Sequence, residues 1–237
     1  QRKMARGMAG SATLSVSAVD GGIDFSVLPE LSSINASVGM LESSALYHEN
    51  GYYETIDLIA ADLTQLNQIN PPRLANGGEI TDFTGNQVIL PDRFTSKYGM
   101  KAGDTITLQI GGQPITLEVA EIAAYDTVFL RHTRGATALL PLSTLSELLG
   151  KTDGYTEILI EPAGGTTTAE LKNELAAELP DGEYKVSEVV NEAQITADAR
   201  QKSMPFFLIS FFSLTMSVLI IYSSYKVITL DRLPVIG

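Results

Sequence analysis

The stretch from Met204 to Tyr225, MPFFLISFFSLTMSVLIIYSSY, contains no charged residue and is bracketed by Lys202 and Lys226. A helix rises about 1.5 Å per residue, so about 20 residues cross the ~30 Å hydrocarbon layer of a bilayer. This run is long enough, and it predicts a transmembrane helix over 204–226. The competing reading is a buried core helix, but such helices carry a polar stripe or stop after about 10 to 14 apolar residues.

Ser210, Ser213, Ser217 and Ser224 fall three, four and seven positions apart, which places them on one helical face. Small residues at that spacing let a second helix approach closely in lipid. Serine is also tolerated elsewhere in a spanning helix, and the residues alone do not choose between the two. Pro205 stands where the polar chain meets the apolar run. Inside a continuous helix it removes a backbone hydrogen bond and kinks the rod; in a first turn it simply starts one.

A spanning helix near the end of a 237-residue chain leaves about 200 residues for one or two compact domains. Twenty-eight acidic against sixteen basic residues give a net charge of -12, which excludes nucleic acid and an anionic membrane surface as natural partners. The absence of cysteine removes disulfides and thiolate metal sites from consideration. QRKMARGMAGSA lacks the apolar core of a signal peptide, and DRLPVIG stops in mid-pattern. The expectation is either a domain tethered in the cytoplasm or a piece of a longer protein with an earlier spanning helix.

Along the chain, TLSVSAV (Thr13–Val19) alternates as a half-buried strand, and Asp20-Gly21-Gly22 turns into a second strand at Ile23–Val27. Asp20 and Asp24 lack the remaining oxygen ligands of a calcium loop. A short helix is expected over Leu28–Ala36, strands over Val38–Tyr47 and Tyr53–Ala61, and a helix capped by Asp62 and ended by Pro71-Pro72. From Asn76 the texture becomes β-rich: a strand at Gln87–Leu90, a short helix at Asp92–Tyr98, then TITLQI and PITLEVAEIAAY joined by Gly111-Gly112, the strongest hairpin signal in the chain. Strand and helix then alternate: a strand at Ala136–Leu140, a helix capped by Ser143 or Thr144 and closed by Gly150, and a strand at Tyr155–Glu161. A helix with a Thr167–Glu170 capping box and a strand at Tyr184–Val190 follow. Residues 191–203, NEAQITADARQKS, are expected to form a helix that is polar on every side, as in a solvent-bridging stalk.

These readings give an α+β layer sandwich at 1–75 and 136–190, an inserted β-rich module at 76–135, a stalk at 191–203, a membrane helix at 204–226 and a tail at 227–237. His48 and His132 fall in different modules without HExxH spacing, GxSxG is absent, and no glycine pair is followed by GK[ST]. No catalytic, cofactor-binding or metal-binding residue is expected, and an enzyme is not.

SATLSVS, YGMKAGDTITL, GATALLPLSTLSELLG, the polar stalk, the span and DRLPVIG stand in an order that resembles the extracytoplasmic domain and second transmembrane helix of an FtsX-like (MacB-type) ABC transporter permease. Asp231, Arg232 and Gly237 match the family's segment after the span, whereas Leu233, Pro234 and Val235 depart from its charged residues. The resemblance implies a porter-like α+β part with a small inserted part, placing residues 1–203 outside a bacterial cell membrane. It implies a cytoplasmic ABC ATPase that binds the ATP, a second permease subunit, the lipid bilayer and an extracytoplasmic adaptor as partners. ATP-driven motion would be relayed to the outer domain to export peptides, lipoproteins or toxic compounds. Arg2, Lys3 and Arg6 on the outer side run against the positive-inside preference, though long domains translocate largely regardless of charge. The alternative is a ligand-sensing ectodomain of a membrane receptor.

Overall fold

The computed structural model describes residues 9–49, 51–81, 83–130, 136–150, 154–189 and 213–224. The chain divides into two units, residues 1–191 and 192–237. The first is α+β and is organised by one strand, β2 (Ile34–Glu49), which serves two sheets in succession.

Residues 34–40 of β2 pair antiparallel with β8 (Glu157–Pro162), which pairs with β1 (Leu14–Ala18), which pairs with β9 (Tyr184–Glu188). Leu14 and Val16 lie opposite Ile160 and Ile158 and share their face with Leu171 and Leu175 of α4 (Thr168–Glu178). The start of α4 is fixed locally: the Thr167 hydroxyl accepts from the Glu170 amide while the Glu170 carboxylate accepts from the Thr167 amide, the predicted capping box.

Beyond Met40 the same strand turns to other neighbours. Residues 41–49 pair with β3 (Tyr52–Ala60), and Leu46 and Tyr47 pair with β5 (Thr105–Ile110). β3 runs parallel to β7 (Ala136–Leu139), β7 meets β4 (Gln87–Pro91), β4 runs parallel to β6 (Gln113–Ala123), and β6 returns to β5. The order β2-β3-β7-β4-β6-β5 therefore closes on itself as a six-stranded barrel. Leu41, Ile56, Leu58, Leu90, Leu108 and Leu117 fill it, with Phe94 of α2 (Asp92–Tyr98) and Leu145 of α3 (Leu142–Leu149) packed on the same core. Closure removes the exposed strand edges that an open sheet of this width would carry. A third cluster, including Met40, Ile59, Phe129 and Leu159, joins the outside of the barrel to the free face of the first sheet, with Leu66 and Ile69 of α1 (Leu63–Ile69) packed into it.

The division of the chain into sheets differs from the expected 76–135 insertion. That range supplies β4, α2, β5 and β6, but β3, β7 and the second half of β2 complete the same barrel, so the boundary falls inside β2 near Met40. The expected helix over Leu28–Ala36 is absent: β2 already begins at Ile34, with a bulge between Ile34 and Ala36 that absorbs the irregular pattern. The strand expected at Ile23–Val27 reduces to a single bridge from Ile23 to Tyr155, because Asp24 accepts the Ser26 amide and turns Phe25–Val27 into a 3-10 helix. α3 starts after Pro141 without a side-chain cap, and Thr144 instead donates its hydroxyl to the Gly85 carbonyl at 2.7 Å. The Asp62 cap and the left-handed Gly150 that ends α3 agree with expectation.

Candidate functional site: the exposed apolar helix and the strand shared by two sheets

In the second unit, residues 213–224 form a helix, α5. Leu214, Met216, Val218, Leu219, Ile220, Ile221 and Tyr222 are each more than half exposed on it, at 55% to 68%. Large side chains bared on every side of a helix are a liability in water and the normal state in lipid. The described part spans about 18 Å at ~1.5 Å per residue. Among the described residues no helix is long and apolar enough to cross a membrane. The apolar run continues in the sequence to Met204 on one side and Tyr225 on the other, outside the described residues.

Ser213 and Ser217, one turn apart, share a face of α5, and the Ser217 hydroxyl donates to the Ser213 carbonyl at 2.9 Å. That bond occupies the hydroxyl hydrogen within the helix, so what this face offers a neighbour is small size and an acceptor oxygen. Pro205, Ser210, Asp231, Arg232 and Gly237 lie outside the described residues, as do the stalk at 191–203 and the tail at 227–237.

In the first unit, the residues with a positional role are those where β2 passes between sheets, and the sequence reading did not single them out. Gly39 is buried, and a Cβ built on it would lie 2.6 Å from three ring atoms of Tyr155. Thr156 donates its amide to the Met40 carbonyl and accepts the Glu42 amide at its hydroxyl, both at 2.9 Å. Residues 155–156 thus strap the strand at the crossing, and a glycine inside an alternating run is the sequence sign of such a close approach. The Tyr155 ring also meets Phe25 edge to face at 5.4 Å, and burial, with Asp62 and Asp24 nearby, pushes its phenol up.

At the far end of β2, Tyr47 packs edge to face on Phe94 and Tyr98, with centroids 5.4 and 4.9 Å apart, and donates its hydroxyl to Glu49. Tyr98 and Lys97 of α2 both donate to Glu54 on β3, the lysine at 2.7 Å. Burial pushes the Glu54 carboxyl up, but these two donors outweigh it and hold it below the usual range. The long strand is therefore held at the crossing between the sheets and again near its C-terminal end. His48 stacks on Tyr53 at 4.3 Å, and among the described residues no group of three or more metal-ligating side chains is present; His132 lies outside them.

No family model and no curated protein sequence matches the chain. Among solved structures, the periplasmic region of MacB from Actinobacillus actinomycetemcomitans is similar with a TM-score of 0.52 at 12% identity, covering 81% of this chain and 94% of that one. The fold is thus the one found in the periplasmic region of MacB, and it is α+β. The extracellular domain of the ABC-type transporter YknZ from Gram-positive bacteria superposes with a TM-score of 0.47 at 13% identity, over 74% of this chain and 99% of that one.

Proposed function

We propose that this chain is the extracytoplasmic domain and second transmembrane helix of an FtsX-like, MacB-type ABC transporter permease. It does no chemistry of its own and relays ATP-driven motion of the membrane helices to the folded domain outside. The observation that carries this is the presence, in one chain, of a fold spanning 94% of the MacB periplasmic region and of a helix whose apolar side chains are bare on all sides. In this reading residues 1–203 are outside a bacterial membrane, 191–203 form the stalk, 204–226 the span, and 227–237 lead to a cytoplasmic ATPase. A second permease subunit faces the serine stripe.

A strand common to two sheets suits this role. Sixteen residues in one extended segment measure roughly 50 Å, and a displacement at one end reaches the other without a loop to absorb it. The test is to express the complete permease with its ATPase in a membrane and replace Pro205 by alanine. Altered ATPase stimulation or export is expected. A transporter that behaves as wild type removes the hinge role of Pro205, and a complete reading frame without further spanning segments removes the permease reading itself.

A further inference from the structure

We propose that the outer edge of β2 at residues 34–38, with the apolar groove beside it, binds an extended cationic peptide segment as an added strand. Residues 34–40 pair with β8 on one side only, and no strand among the described residues pairs with them on the other. The Gly39 amide points to that other side, where the Gln65 side chain accepts it at 3.4 Å. Two residues earlier in the same strand, Ser37 presents its amide and carbonyl to the same edge, because these groups alternate along a strand. The Ile34 amide already donates to the Leu31 carbonyl at 3.2 Å, so the Ser37 amide and carbonyl are the groups this edge presents for main-chain pairing.

Next to that edge lies an open groove of about 470 Å³ lined by Phe25, Leu28, Pro29, Leu31, Ile34 and Ser37. It suits one bulky apolar side chain of a bound strand, and alternate side chains on such a strand fall on the same face. The charge around it selects the partner. No lysine or arginine lies between Arg6 and Arg73. Residues 9–40 and 154–189, which build this sheet and α4, hold eleven acidic residues against Lys172 and Lys185. Lys172 sits 3.8 Å from Glu188, exposed Glu30 is on the groove's rim, and Glu174 of α4 accepts the Ser33 hydroxyl beside it. One-signed surroundings of this kind steer a basic partner in and reject an acidic one. The site does not depend on the permease reading and is measured without an ATPase.

The test uses the full chain in neutral-detergent micelles and a fluorescent nonapeptide in which lysine alternates with leucine and valine. A charge-reversed peptide with glutamate in place of lysine is the control. The lysine peptide binds and the glutamate peptide does not, binding weakens about ten-fold between low and high salt, and hydrogen exchange slows at residues 34–38. Glu30→Lys weakens binding about five-fold or more. Leu31→Asp separates the groove from bulk charge: it adds a negative group, so it tightens a purely electrostatic association and weakens one that seats an apolar side chain. Ser37→Pro removes the edge amide and abolishes binding; should that variant not fold, the other two decide. Equal binding of both peptides, tightening by Leu31→Asp, or no binding of the lysine peptide overturns the proposal.

Discussion

A Cβ on Gly39 would come within 2.6 Å of Cδ1, Cδ2 and Cε1 of Tyr155, so the aromatic ring occupies space that only glycine leaves open. Gly39→Ala forces the ring or the strand to move, a cost of about 1–3 kcal/mol. Chemical denaturation of the variant gives the value. Combining it with Tyr155→Ala costs less than the sum of the two single changes, since the collision is then gone. Strict additivity would show that the two residues do not meet.

The capping box at α4 predicts a small, pH-dependent contribution. Thr167→Ala removes the acceptor for the Glu170 amide and destabilises by about 1 kcal/mol. Hydrogen bonds from the Thr167 amide and hydroxyl hold the Glu170 carboxyl below its ordinary value of 4.5. A carboxyl with a depressed folded-state pKa stabilises above the unfolded value and loses that effect as pH falls through the folded one. The stability gap between wild type and Glu170→Gln is therefore full above about pH 5 and closes on acidification. A gap independent of pH from 6 to about 3 would contradict the assignment.

Tyr47 makes the opposite prediction at alkaline pH. Burial, the bond to Glu49 and the charges nearby push its phenol well above the ordinary 10. The folded state thus keeps a proton that the unfolded chain releases, and this stabilisation is complete below the unfolded value and lost as pH rises toward the folded one. In a spectrophotometric titration, the tyrosinate absorbance held back until the alkaline unfolding transition is smaller by one tyrosine in Tyr47→Phe. The same substitution costs about 1 kcal/mol at neutral pH through the lost hydrogen bond.

The serine face of α5 predicts a steric role. Replacing Ser213 and Ser217 together by leucine keeps the helix apolar but prevents close approach of a neighbour, weakening helix association by about 1 kcal/mol. Cross-linking in micelles or membranes, through single cysteines introduced on that face, measures it. Ser217→Ala, which keeps the residue small, leaves association nearly unchanged, since the hydroxyl hydrogen is already engaged with Ser213. Loss of association in the alanine variant and not in the leucine variant would reverse the assignment.

What could be read directly from the residues was whatever closes within a few positions. Asp62 capping α1, the Thr167–Glu170 box, the Gly111-Gly112 hairpin and the left-handed Gly150 are local agreements between side chain and backbone. Tertiary structure decided the rest. Leu28–Ala36 has the composition of a short helix, yet its end is drawn into β2 because Ile34 and Ala36 find ladder partners on β8, more than a hundred residues on. Closure of the barrel rests on β3–β7 and β4–β6, parallel pairs between strands far apart in sequence. Such contacts depend on which surfaces meet after collapse, and no residue spacing encodes them. The close approach of Tyr155 to Gly39, and the free edge left beside it, follow from the same long-range choice.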